Sequence, residues 1–287
     1  MSQQFAITLE DLKSPTLAFA IGDALGAPFE FKSPLEEDLK TWFRGHEPIR
    51  FTDDTFLYLS TLAGLRHCLT NGSWKKGSEI DPSHFWIQLK LGALKYLHEW
   101  FKSGDHRGMG LTTRSALFQL HWSVTNGKNL EEFSGPTEAQ GYPFKISAGN
   151  GILSRALPLV LLGFSYSSEM KAFLDLTHLH PDGHLASKDL IALIQEEKPP
   201  NKNLWADGKG FYAPETLWLA YQAGVNAKNL EHVFVSSILP EGDNDSVAAL
   251  ASAIAFVLGP KSTPKEIEQL ANRFAEIELI VRFFAEE

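Results

Sequence analysis

The chain has 287 residues, of which 44% are hydrophobic and 21% are charged. This balance supports a large buried core and excludes a long disordered or low-complexity protein. The formal net charge of -9 offers no basic surface to polyanions, which disfavours nucleic acid as a partner. A lone cysteine, Cys68, excludes an internal disulfide and suits a reducing compartment.

The first residues carry no export or membrane signal. Residues 1–5 have no basic side chain, and the apolar segment Thr16–Gly26 is interrupted by Asp23. A signal peptide and a membrane span are therefore not expected. We expect a cytoplasmic protein that does not associate with a membrane.

Apolar residues recur at helical spacing along most of the chain, beginning with the stripe at Phe56, Leu59 and Ala63. The pattern predicts further helices over 85–101, 112–123, 151–164, 168–179, 186–196, 213–223, 227–238, 245–258 and 264–284, with loops at 104–110 and 181–183. Period-two runs are scarce, and no long linker or fixed repeat appears. We therefore expect one all-α domain over 1–287, a compact orthogonal multi-helix bundle with a loop-lined cleft. Without a heptad seam, a monomer is expected.

Two segments rich in oxygen ligands stand where helices begin. Thr52-Asp53-Asp54-Thr55 precedes the stripe from Phe56, and Gly242-Asp243-Asn244-Asp245-Ser246 precedes the apolar run 247–258. Capping of free backbone N–H groups would explain one such side chain at each helix start. Adjacent carboxylates repel each other, however, and four of them exceed what capping needs.

The two segments together form a candidate metal site if they meet in the folded chain. The oxygen ligands would come from Thr52, Asp53, Asp54, Asp243, Asp245 and Ser246. Such a set suits Mg²⁺ or Mn²⁺, whereas zinc favours nitrogen and sulfur. An EF-hand is excluded because Ala248 and Ile254 stand where its glycine and closing glutamate belong.

Five motifs, in chain order, resemble the ADP-ribosylglycohydrolase family, which includes the glycohydrolase that reactivates dinitrogenase reductase. They are Gly22–Glu30, Thr52–Thr55, Gly149–Gly151, Thr177-His178 and Gly242–Ser246. The resemblance implies an all-α fold with two Mg²⁺ or Mn²⁺ ions, held by the six residues above, at the bottom of an ADP-ribose cleft. The last motif departs from the family's Gly-Gly-Asp-Thr-Asp-Thr: Ser246 keeps the hydroxyl, but Glu241 is expected to add charge beside the metals.

Cleavage of a glycosidic bond through an oxocarbenium-like transition state needs a carboxyl group that handles a proton. Glu30 is the first candidate, since Phe29 and Phe31 give it apolar surroundings that would raise its pKa. Asp105 is the second, because its loop resembles the one that carries a catalytic aspartate in the dinitrogenase-reductase branch. The simpler alternatives are a solvated glutamate at a helix end and an ordinary turn aspartate.

The segment before the helix at 151–164 offers backbone N–H groups that can receive a phosphate. Its candidate substrate-binding residues are Ser147, Gly149, Asn150 and Gly151. By resemblance, His178 contacts a phosphate or the ribose, and Tyr212 stacks on adenine or ribose. The simpler alternative for Tyr212 is packing at a helix start.

These features predict a metal-dependent hydrolase that releases ADP-ribose from a modified protein or small molecule, with arginine favoured as the acceptor. One alternative is a noncatalytic ADP-ribose-binding or structural member of the family, which would tolerate removal of the metal. Another is a dimetal nucleotide phosphohydrolase, which would release phosphate rather than intact ADP-ribose.

Overall fold

A computed structural model describes residues 8–74, 81–138, 146–202, 207–260 and 263–285. The described residues form α-helices and three short 3-10 helices, at Glu10–Leu12, Ala27–Phe29 and Leu130–Glu132, without any named strand. The helices are α1 (Lys13–Gly26), α2 (Glu36–Arg44), α3 (Asp53–Thr70), α4 (Pro82–Ser103), α5 (Leu111–Thr125), α6 (Gly151–Leu161), α7 (Ser168–Leu174), α8 (Pro181–Glu196), α9 (Ala213–Val225), α10 (Leu230–Ser237), α11 (Asn244–Leu258), α12 (Thr263–Ala271) and α13 (Ile277–Val281). The expected all-α class is confirmed.

Three details of the helix prediction are wrong. The loop expected at 181–183 is the first turn of α8, where Pro181 needs no N–H partner and the His180 ring accepts from the backbone of Asp182. The helix expected over 264–284 divides into α12 and α13, because the backbone around Phe274 bonds to Ile49 instead of continuing a helix. Helices α1 and α2 were not among the predicted helices.

The buried apolar side chains form one connected core. Helix α1 packs along α11, α11 packs along α9, and α3 lies between α4 and α6. Helix α1 is buried from Ala18 through Gly26, so it has no solvent-facing side and no apolar stripe for sequence periodicity to detect. Within the described ranges, no helix has the length and hydropathy needed to cross a bilayer.

The backbones of α1 and α11 touch. A Cβ atom on Gly22 would lie 2.3 Å from the backbone oxygen of Ala248, and one on Gly26 would lie 2.4 Å from that of Asn244. Only glycine permits this approach, since any side chain would push the helices apart. The contact brings the beginning of α11 beside the end of α1.

Asp23 lies between these glycines and joins α1 to α3. Its carboxylate is fully buried and accepts hydrogen bonds from the backbone N–H groups of Thr52 (2.9 Å) and Thr55 (3.0 Å). It also accepts from their hydroxyls, at 2.8 and 2.6 Å. A residue of α1 thus caps α3, so α1 holds the beginnings of both α3 and α11.

Gly22→Ala should destabilise the protein because the added methyl group collides with the Ala248 carbonyl. We expect the free energy of unfolding to fall by roughly 1–3 kcal/mol, the usual range for overpacking, measured by chemical denaturation. Gly149→Ala is the matched control and should change stability little, since the nearest atom to its Cβ would be Ser147 Oγ at 3.7 Å, an ordinary van der Waals contact. Equal stability of Gly22→Ala and wild type would contradict the close helix contact.

Candidate active site

The two helix starts that carry the acidic motifs meet. Asp54 from α3 and Asp243 and Asp245 from the start of α11 each offer a carboxylate oxygen, and these oxygens lie within 4.8 Å of one another. All three residues are buried. Asp53 and Ser246 line the same cavity, whose volume is about 540 Å³.

Helix capping does not account for this acidic cluster. The residue before α3, Thr52, and the residue before α11, Asp243, make no side-chain capping bond. Asp23 performs that task for α3 from another helix. The carboxylates of Asp54 and Asp243 therefore remain available to the cavity.

Neutral donors hold the acidic side chains in place. Asp54 accepts from the hydroxyl of Ser154 at 2.6 Å and from that of Ser246, while Asp243 accepts from the amide of Asn150 at 2.9 Å. In the part of the chain that the structure describes, no lysine or arginine forms an ion pair with the triad. Its negative charge is therefore not compensated by a protein cation.

Burial and mutual repulsion disfavour the charged forms of the cluster. Burial, reinforced by Asp245, raises the pKa of Asp54 to about 6. Burial and the neighbouring carboxylates also raise the pKa of Asp53 and of Asp243 well above the ordinary range. A hard divalent cation would relieve this repulsion, and carboxylate and hydroxyl oxygens are the ligands it prefers. The residues present thus fit a metal site.

Thr52 faces the cluster differently from the other proposed ligands. Its hydroxyl donates to Asp23 at 2.8 Å, which uses the hydrogen but leaves oxygen lone pairs available. The side chain contributes to an adjoining cavity of about 490 Å³. Thr52 is not among the residues that line the larger cavity with the acidic cluster.

Glu30 shares the cavity with the acidic cluster. Burial, then the charges of Asp245 and Asp54, raise its pKa to about 7. The turn before it is tied to α11, because the amide of Asn244 donates to the backbone oxygen of Phe29 at 2.6 Å. Glu30 is therefore a half-buried carboxyl group that can exchange a proton near neutral pH.

Glu241 does not bring its charge into this cavity. Its side chain is 70% exposed and lies 3.9 Å from the ammonium group of Lys209. It is not among the residues that line the cavity. The expectation that Glu241 adds charge beside the metals is wrong, since its side chain extends into solvent toward Lys209.

The proposed phosphate-binding segment forms one wall of the cavity, with lining residues Ser147, Gly149, Asn150 and Gly151. The Asn150 amide is occupied by Asp243 and by the backbone oxygen of Gly210. The Ser147 hydroxyl lies 2.5 Å from that of Thr112. The segment therefore offers mainly backbone groups and the beginning of α6. His178 lines the same wall.

An aromatic pair that the sequence did not reveal also lines the cavity. Phe31 and Phe211 stack with ring centroids 5.6 Å apart and an angle of 17° between planes. Phe31 is 61% exposed and has a positive φ of 59°, a strained conformation for a side chain of this size. Tyr212 lies next to Phe211, but its hydroxyl donates to Asp182 at 2.7 Å.

Asp105 lies in the adjoining cavity of about 490 Å³, which Glu30 also lines. Its carboxylate accepts from Arg107 Nε at 3.0 Å, and the same guanidinium bonds to Glu276. The hydrogen bond from Arg107 lowers the pKa of Asp105. Asp105 is thus an ionised, partly exposed carboxylate, whereas Glu30 holds a proton more readily.

Comparison with known proteins identifies the family and supports the fold. The sequence profile of the ADP-ribosylglycohydrolase family matches residues 14–196, and the chain belongs to that family. A solved structure described as an ADP-ribosylglycohydrolase-related protein complex is similar, with a TM-score of 0.56 and 21% identity, over 96% of this chain and 99% of that chain. No curated protein matches the sequence. The profile match ends before Asp243 and Asp245, which the fold brings to Asp54.

Asp54→Asn should stabilise the metal-free protein at alkaline pH by removing one repelling charge. The folded-state pKa of Asp54, about 6, exceeds the unfolded value of about 3.9. Its stabilising contribution is therefore present at low pH and lost as pH rises through about 6. In chelator, we expect the variant to melt at least about 2 °C above wild type at pH 8, with a smaller difference at pH 5.

Excess Mg²⁺ supplies the control for this measurement. Wild type should gain thermal stability from the ion, because a ligand that binds only the folded state shifts unfolding. Asp54→Asn should gain clearly less. A melting difference that is the same at both pH values, or an equal gain from Mg²⁺ in both proteins, would contradict the repulsion.

Proposed function

We propose that this protein is a metal-dependent hydrolase that cleaves the N- or O-glycosidic bond between ADP-ribose and a modified acceptor, with arginine favoured. The observation that carries the proposal is the shared cavity of Glu30 and the buried carboxylates of Asp54, Asp243 and Asp245. Family membership supports the same reaction class.

Two Mg²⁺ or Mn²⁺ ions are the proposed cofactors. Their ligands would be Thr52, Asp53, Asp54, Asp243, Asp245 and Ser246. When bound, such ions would orient and polarise the ribose hydroxyls and make a bound water more acidic. The uncompensated charge of the buried cluster supports this assignment.

Glu30 is the proposed proton-transfer group. Water adds to the anomeric carbon as the bond to the acceptor nitrogen or oxygen breaks, and one water proton must reach the leaving atom. A carboxyl group with a pKa near neutral can accept that proton and return it. The products are ADP-ribose and the unmodified acceptor.

The wall of the cavity that contains Gly149–Gly151 suits the rest of ADP-ribose. Backbone N–H groups at Gly149–Gly151 and the beginning of α6 can hold the pyrophosphate without a basic side chain. His178 is the proposed partner of a phosphate or ribose oxygen. The exposed stack of Phe31 and Phe211 offers an aromatic surface to the adenine, beside Tyr212.

The acceptor is proposed to extend into the adjoining cavity. That cavity meets the first at Glu30 and carries the ionised carboxylate of Asp105. Because the Asp105 carboxylate already pairs with Arg107, a positively charged guanidine acceptor would compete with Arg107 for it, which a neutral serine acceptor could not do. Asp105 is therefore proposed to act on the acceptor side of the scissile bond.

Turnover of arginine-linked and serine-linked ADP-ribosyl peptides, with Mg²⁺, Mn²⁺ or chelator, tests the reaction. We expect metal-dependent release of intact ADP-ribose. Asp54→Ala and Asp245→Ala should abolish turnover, and Glu30→Gln should lower kcat by about 10²–10⁴-fold while Mg²⁺ still binds. Glu241→Gln, an exposed carboxylate nearby, is the control and should retain full activity.

Each alternative function has its own outcome in that assay. Binding of ADP-ribose that survives chelation, without turnover, would indicate a noncatalytic member of the family. Release of phosphate without intact ADP-ribose would indicate a nucleotide phosphohydrolase. Full turnover in all three site variants would refute the site assignment.

Asp105→Asn tests the acceptor side. Removal of the negative charge should lower kcat/KM for the arginine-linked peptide by about tenfold, the effect of one charge-assisted contact. The serine-linked peptide should lose less, because it offers no cation to Asp105. An equal loss for both peptides would argue against recognition of the acceptor by Asp105.

A further inference from the structure

Arg155, on α6, is a fully buried cation that the reaction does not use directly. Its guanidinium donates to the backbone oxygens of Phe173 (2.9 Å) and Leu174 (3.2 Å) and to the hydroxyl oxygen of Thr177 (2.8 Å). The guanidinium also packs over the face of the Phe173 ring, with its carbon 4.4 Å from the ring centroid. Arg155 therefore directs a hydrogen bond at the residue immediately before His178.

The direction of that hydrogen bond determines the next one. A guanidinium can only donate, so the Thr177 oxygen must accept from Arg155. The Thr177 hydroxyl lies 2.9 Å from Nδ1 of His178. If Nδ1 carried a hydrogen, two donors would face the same oxygen. The buried Thr177 hydroxyl hydrogen would then have no acceptor among the residues that the structure describes. Leaving a buried donor unpaired costs about 1–3 kcal/mol.

The hydroxyl of Thr177 therefore donates to Nδ1, and the imidazole hydrogen stands on Nε2. That atom lies beside the proposed phosphate wall: a Cβ atom on Gly151 would be 3.1 Å from Nε2, and one on Gly149 would be 3.8 Å from it. The His178 side chain also lines the cavity. Burial, with the charges of Arg155 and His184, lowers the pKa of His178 to about 3, so the ring is neutral.

We propose that Arg155 and Thr177 are positioning residues that hold His178 as its Nε2–H tautomer, so that the ring presents a hydrogen-bond donor to the cavity. The ligand of that donor rests on the proposed function: an oxygen of the ADP-ribose phosphates or ribose. The tautomer itself is a property of the free protein. With the opposite tautomer, the lone pair of Nε2 would repel a phosphate oxygen and could only accept a hydrogen bond from a ribose hydroxyl.

Nitrogen-15 NMR of the histidine rings tests the tautomer without substrate. Loss of one set of signals in His178→Gln assigns the ring. We expect a single Nε2–H tautomer in wild type and in Thr177→Ser, which keeps the hydroxyl. Thr177→Val should give a mixture of tautomers. Thr61→Val is the matched control, since that buried hydroxyl donates at 2.9 Å to the backbone oxygen of Arg155 and should not affect His178.

Calorimetric titration with ADP-ribose in Mg²⁺ supplies the second measurement. Thr177→Val should raise the Kd by about three- to tenfold, the effect of weakening one hydrogen bond. Thr177→Ser and Thr61→Val should stay within about twofold of wild type, because both keep the chain from Arg155 to His178. A changed tautomer with an unchanged Kd would overturn the donor role of His178.

The two measurements separate this proposal from the proposed function. An Nδ1–H tautomer of His178 in wild type would overturn the proposal, as would an unchanged single tautomer in Thr177→Val. The expected tautomers without any binding of ADP-ribose would support the positioning role and refute the ligand. Should Thr177→Val fail to fold, the spectra of wild type and Thr177→Ser still decide the tautomer.

Discussion

Repulsion among buried carboxylates at two helix beginnings is the constraint on which the site depends. Asp54, Asp243 and Asp245 each place a carboxylate oxygen within 4.8 Å of the other two in a buried, low-dielectric environment, where like charges interact more strongly than in water. Serine and asparagine side chains orient two of them but add no positive charge. Such a cluster lowers the stability of the folded protein, a conflict that is typical of functional sites.

The close packing of α1 against α11 positions this cluster. Gly22 and Gly26 allow the two backbones to touch, and Asp23, between them, caps α3. Asn244 then ties the turn before Glu30 to α11. One short stretch of α1 thus determines the positions of both acidic motifs and of the proposed proton-transfer group. A substitution that changes the packing of α1 would therefore also move the side chains of the site.

The proposed site would also reconcile a protein of net charge -9 with the pyrophosphate of the proposed substrate. In the proposed site, backbone N–H groups and a neutral imidazole donor would attract phosphate oxygens without an exposed lysine or arginine. Arg155 remains buried behind this wall and acts through Thr177. These local dipoles would bind a phosphate even though the net negative charge of the protein repels it.

The sequence alone determined the all-α class, most helices and the two acidic motifs, because helical periodicity and ligand-rich helix starts are local patterns. It missed α1, which is buried on all sides, and it could not show that Asp23 caps α3. Phe31 stacks on Phe211, 180 positions away. Arg107 donates a hydrogen bond to Glu276, 169 positions away. Only the tertiary structure decided these contacts, since hydrogen bonds and stacking between distant segments depend on how helices pack and leave no periodic trace in the chain.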